Sequence, residues 1–165
     1  MLELKPLSRD GIPGALAKAE RYRLLNEPWQ AESICQDILQ VDPENQAALV
    51  TLILSLTDQF DRGVSVQEAR EAIPRLYGEY EQAYYAGVIC ERRAMAVFEQ
   101  GRQRSAPVVH DFLHQAMNWY GKAEAIRPAG NDDAILRWNT CVRFLARYPQ
   151  VQPREEEQAE PAMLE

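Results

Sequence analysis

Residues 31–43 read AESICQDILQVDP, and residues 116–128 read AMNWYGKAEAIRP. Each stretch opens on a small residue, Ala31 or Ala116. A second position follows four residues later, Cys35 or Tyr120. Two more come at offsets seven and eight, Ile38 and Leu39 or Ala123 and Glu124, and a proline closes at twelve, Pro43 or Pro128. Offsets of four, seven and eight share one face of an α-helix. An alanine at the first position lets a neighbouring helix come close, the residue four later fills the gap, and proline cannot continue the helix. The two stretches are therefore expected to be helices that pack and stop in the same way.

The frame extends outward with a period of 34 residues. Upstream of the first stretch lie Ala15, Ala19 and Tyr22. Leu49 and Leu56 stand 34 residues after Ala15 and Tyr22, and Ala83 and Cys90 another 34 on, with Gly87 at the small position. Ser65, Ala69, Ala72 and Ile73 follow Ala31, Cys35, Ile38 and Leu39 at the same distance, and Tyr77 stands where the proline would be. Between Gly87 and Ala116 the chain carries about 17 extra residues. The phase then resumes, and Ala134, Trp138 and Cys141 fall on first-helix positions of a fourth unit that has no second helix.

This spacing resembles the tetratricopeptide repeat family, in which a small residue, an aromatic, another small residue and a closing proline recur along the second helix. The resemblance covers residues 12–147. It lacks the consensus tryptophan and keeps one consensus glycine, Gly87. It implies an all-α fold: a right-handed superhelical array of antiparallel helix pairs, a solenoid of about three repeats plus a C-terminal capping helix. The repeats would span 12–45, 46–79 and 80–130, the third carrying an inserted extended hairpin. The cap would span 131–148, because an array otherwise ends on an apolar face in water. Residues 1–11 form an N-terminal extension.

Helix signals agree with seven segments and no sheet. The first two are expected over 13–26 and 28–41. Asp42-Pro43-Glu44-Asn45 ends the second and opens a third, to about Gln59. Ser65 and Glu68 suggest a capping box for a helix to about Tyr77. A long helix follows over 78–103, then one N-capped by Ser105 with Pro107 in its first turn, to about Arg127, and a last one to about Tyr148. Residues 149–165, with three prolines and six glutamates, are expected to be a solvated disordered tail, the alternative being a short acidic docking motif.

Of the 165 residues, 46 % are hydrophobic and 26 % charged, with a net charge of −7. That balance suits a globular chain and argues against nucleic acid or an anionic membrane as partner. No apolar run approaches the roughly 18 residues of a membrane span, and MLELKPLSRD lacks the apolar stretch of a signal peptide. The default placement is cytoplasmic.

Little in the chain points to catalysis. Cys35, Cys90 and Cys141 fall on core positions of the frame, without the paired spacing of a zinc site or disulfide framework. His110 and His114 share a helix face with Asp111 between them, but no further ligand is evident, and a solvent-facing or packed pair is the expected state. There is no glycine-rich loop after a strand and no GxSxG. No catalytic residue, cofactor or metal is expected, and a metal-dependent enzyme is the least favoured reading. Trp29 and Trp119 are the tryptophans whose exposure would mark an interface.

In the tetratricopeptide family the first helices line a groove that holds a peptide or helix of another protein. The resemblance implies a groove here of Leu16, Glu20, Arg23, Val50, Leu54, Tyr84, Val88, Glu91 and Asn139, with Arg143 at its far end. One subfamily clamps the acidic C-terminus of chaperones with lysine, asparagine and arginine. This chain has Leu16 and Glu20 at two of those positions, and the glutamate would repel a carboxylate. The inserted hairpin offers a second surface through Arg92, Phe98, Arg102 and Phe112. It reads either as a partner-binding or homodimer arm or as a hairpin stabilised by its own seam. The expected function is that of a non-enzymatic adaptor or scaffold. The alternative is a small acidic secretion-type chaperone of three repeats.

Overall fold

The computed structural model describes residues 1–155 and is helical throughout them, with no strand. Seven α-helices follow one another: α1 Ile12–Leu24, α2 Pro28–Val41, α3 Gln46–Thr57, α4 Val66–Ala72, α5 Glu79–Glu99, α6 Ala106–Ala125 and α7 Asp133–Arg147. Each packs on the next. In addition, α1 touches α3 and α3 touches α5.

The helix ends follow from local chemistry. Pro28 starts α2, where its missing N–H costs nothing. Asn45 caps α3, its side-chain oxygen accepting from the Ala48 N–H at 2.9 Å while its amide donates to Asp42. Asn26 takes a left-handed conformation in the turn between α1 and α2. Gly78, with φ of 84°, opens α5 from a backbone conformation that disfavours any side chain.

Two expected caps differ from the structure. Ser65 does cap α4, but its hydroxyl accepts from Gln67 N–H, one residue short of the capping-box geometry. Ser105 precedes α6 without capping it, because its hydroxyl donates to the Arg102 carbonyl instead. Helix α4 is also shorter than the expected run to Tyr77. Pro74 has no N–H to continue the ladder, so the chain closes in a single 3₁₀ turn at Ile73–Arg75 and Leu76 becomes extended. Similarly α5 stops at Glu99, four residues before the expected end, and Gly101 turns left-handed.

The frame residues are the core. Ala19, Ala31 and Cys35 are fully buried where α1 meets α2. Leu49, Ile53 and Leu56 of α3 are buried together with Ala69 and Ala72 of α4. In the third pair Gly87 lies against the ring of Tyr120, where an added Cβ would sit 2.6 Å from a ring carbon. That approach leaves no room for any side chain at residue 87.

The extra residues lengthen α5 to 21 residues and α6 to 20, which pack along each other. They do not stand clear as an isolated arm. Phe98 sits edge-on to Phe144 at 4.9 Å and near Tyr148 at 4.8 Å, both contributed by the end of α7. The expected tail also begins later than residue 149. Val151 is 4 % exposed, and its N–H donates to the Tyr148 carbonyl at 2.9 Å. Residues 156–165 of that tail lie outside the described residues.

Gly87→Ala is expected to lower stability by about 1–3 kcal/mol through overpacking against Tyr120, although alanine favours a helix by about 1 kcal/mol over glycine. Urea denaturation followed by helicity checks this; a stabilised variant would mean that the Tyr120 ring yields freely.

Candidate functional site

Helices α1, α3 and α5 present a common front, and the structure divides the expected groove in two. Leu16, Val50, Leu54 and Tyr84 are partly exposed, and Glu20 is exposed. Tyr84 stacks on Tyr80 with ring centres 5.9 Å apart and meets Tyr85 edge-on at 5.0 Å. The α5 end is closed. Val88 is fully buried, and Glu91 is 6 % exposed. These two residues therefore do not line an open groove. Asn139 of α7 is partly buried and Arg143 is exposed.

Glu91 is committed inside the fold. Tyr120 of α6 donates its hydroxyl to one carboxylate oxygen at 2.5 Å, and Arg137 of α7 approaches the other at 3.3 Å. Burial, then the Glu91 charge, hold the Tyr120 phenol well above its ordinary pKa, so it stays a donor. Burial works against the Arg137 charge, but Glu91 outweighs it and the guanidinium stays protonated. Groups arranged this way hold helices together; none is left to act on a substrate.

Arg23 and Arg92, both expected in interaction surfaces, meet on a residue the sequence reading did not single out. Asp58, at the end of α3, accepts from Arg23 Nε at 2.8 Å and from Arg92 Nη2 at 2.7 Å. Asp58 stands 35 residues after Arg23 and 34 before Arg92, so the repeat frame was the available signal. The cluster edges a polar cavity of about 490 Å³ that also includes Leu24, Thr57 and Glu99. Partly exposed pairs of this kind contribute about 1 kcal/mol or less each; here they tie α1, α3 and α5 together across one end of the front.

The remaining expected residues are dispersed. Arg102 is exposed beside Val151. Phe112 lies under the Arg93 guanidinium, 4.2 Å from its ring centre. Phe98 is engaged with α7, so it is part of the fold and not a free contact of the hairpin. Trp29 and Trp119 are 44 % and 37 % exposed, each beneath a cation: Arg62 at 5.1 Å and Lys122 at 4.5 Å. The His110 and His114 rings are 4.2 Å apart. Burial, then the neighbouring His114, lowers the pKa of His110. Among the described residues no group of three or more histidine, cysteine or acidic side chains converges.

On the far side of α5 a second cavity, of about 890 Å³, opens between α4 and α6 with Trp119 on its wall. The sequence reading did not anticipate it.

All three cysteines are buried. Burial pushes the Cys35 and Cys141 thiols up to about 12 and raises that of Cys90. In the unfolded chain they ionise near their ordinary value of 9. Ionisation therefore favours the unfolded state once pH exceeds about 9, and stability falls as pH rises from there toward about 12. An aromatic disulfide reagent at pH 8 is expected to label the folded protein only at its opening rate; rapid labelling of one thiol would show that thiol to be accessible.

No family model matches the chain, and neither a curated protein nor a solved structure is significantly similar to it.

Proposed function

We propose that the chain is a non-enzymatic interaction module of the tetratricopeptide kind, an adaptor that recruits a peptide or helix of another protein across the front of α1, α3 and α5. In this reading α1–α2, α3–α4 and α5–α6 are the three repeats, wound as a right-handed array, and α7 is the cap.

One observation carries the reading. Ala19, Ile53 and Gly87 lie 34 residues apart, and all three are buried on successive first helices. Three first helices are therefore turned the same way into the core. The same turn keeps Leu16, Val50 and Tyr84, also 34 apart, partly exposed. A repeating apolar row on adjacent helices suits a partner that supplies apolar side chains at regular intervals. The open part of the front is its α1–α3 half, since α7 lies over Val88 and Glu91. Glu20 and the Arg23–Asp58–Arg92 cluster give it isolated charges that would orient a ligand more than they would strengthen it. A cytoplasmic site of action accords with an acidic chain in which no described helix is long and apolar enough to cross a membrane.

The test compares the wild-type chain with a Leu16→Ala, Glu20→Lys, Leu54→Ala variant in affinity purification from the native cell, with helicity as the control. A stoichiometric partner retained by the wild type and lost by the equally helical variant is expected. Retention of that partner by the variant would move the binding surface away from the front.

A further inference from the structure

The cavity behind α5 has its own logic. By its place in the frame α4 is the counterpart of α2, yet α2 runs for 14 residues and α4 for seven. Pro74 ends the helical path, and the chain turns away at Leu76. Ala83, Ala86, Ile89 and Cys90 recur on one face of α5 at helical spacing, and they form the floor of the cavity. This is the face that a longer α4 would cover. The face bearing Tyr84, Val88 and Glu91 lies on the opposite side of α5.

The walls match a helix. Ile73 and Pro74 stand on the α4 side; Trp119 and Ile126 stand on the α6 side. Trp119 is 37 % exposed and Ile126 48 % exposed. The small floor residues Ala83 and Ala86 let an incoming backbone come close, as Ala31 does between α1 and α2. The banks also carry charge. Arg70 on the α4 side and Lys122 on the α6 side face the same space, against a single carboxylate, Glu79. Among the described residues neither cation forms an ion pair. Lys122 instead lies over the Trp119 ring. A locally cationic rim on a chain of net charge −7 selects for carboxylates.

We infer that the trough between α4, α5 and α6 is a second docking site, which takes an amphipathic helix of a partner protein, apolar on its inner face and carrying carboxylates along its edges. The incoming helix occupies the course that α4 would follow if Pro74 did not end it. Its apolar side chains meet Ile89, Trp119 and Ile126, and its carboxylates meet Arg70 and Lys122. This site is separate from the front of α1 and α3, so substitutions on one leave the other intact.

The probe is a labelled synthetic peptide with leucines at helical spacing and glutamates on the flanks, compared with the same peptide carrying lysines. Binding to the full chain is followed by fluorescence anisotropy. The acidic peptide is expected to bind and the basic one not. Arg70→Glu with Lys122→Glu should weaken the acidic peptide by on the order of tenfold or more and admit the basic one. Ala86→Trp, which fills the trough from a partly exposed position, should abolish both while helicity is unchanged. Failure of the acidic peptide to bind, equal binding of the two peptides, or binding indifferent to these substitutions would overturn the assignment. Binding seen only after removal of residues 156–165 would assign the trough to the chain's own acidic segment and would equally overturn the assignment to a partner.

Discussion

Glu91 is a carboxylate taken almost entirely out of water, and three helices meet on it. Such a charge is tolerated only when its oxygens are occupied, and removing one partner from a buried pair costs about 3–5 kcal/mol. Tyr120 can supply its hydroxyl because Gly87 lets α6 lie against α5. Arg137 can supply its guanidinium because α7 is turned so that Ala134 and Cys141 face inward. The consequences spread from there. With α7 held down, Phe144 and Tyr148 reach Phe98, and Val151 is carried onto the hairpin. The same placement closes the α5 end of the front and leaves its α1–α3 half open.

The two faces of α5 therefore differ by construction. One is covered by α7 and satisfied by ion pairs and hydrogen bonds. The other is left bare by the early end of α4, and it is apolar with a cationic rim. A proline at residue 74 and a glycine at residue 87 account for much of this contrast. The first removes covering helix; the second permits a close pair. In the proposed adaptor, the open half of the front and the bare back of α5 are the two places where a partner gains most from displacing water.

Much of the helical order was legible in the chain, because periodicity and breakers are local. Helix α2 matches its expectation at both ends, since Pro28 can sit only at a start and Asp42-Pro43 must follow a stop. The buried set Ala19, Ala31, Cys35, Leu49, Ala83, Gly87, Ala116 and Tyr120 follows from spacing alone. Helix α4 was read too long because Ile73 and Tyr77 fit the frame, while the backbone obeys Pro74. The groove was only half legible. Spacing indicates that Val88 and Glu91 share a face with Tyr84, but not that α7 lies across that face. Asp58 was missed because its importance depends on two arginines on other helices, and Val151 because its burial depends on an aromatic cluster contributed from two helices. Such contacts depend on how helices cross, which no local pattern records.

A double-mutant cycle at Glu91 tests the account most directly. Tyr120→Phe and Arg137→Met each remove one of its partners, and urea denaturation gives the stability of both single variants and the double. If Glu91 unites α5, α6 and α7, the double variant departs from the sum of the singles by about 0.5–3 kcal/mol. Losses that simply add would mean that Tyr120 and Arg137 act independently and that α7 is held by its aromatic contacts alone.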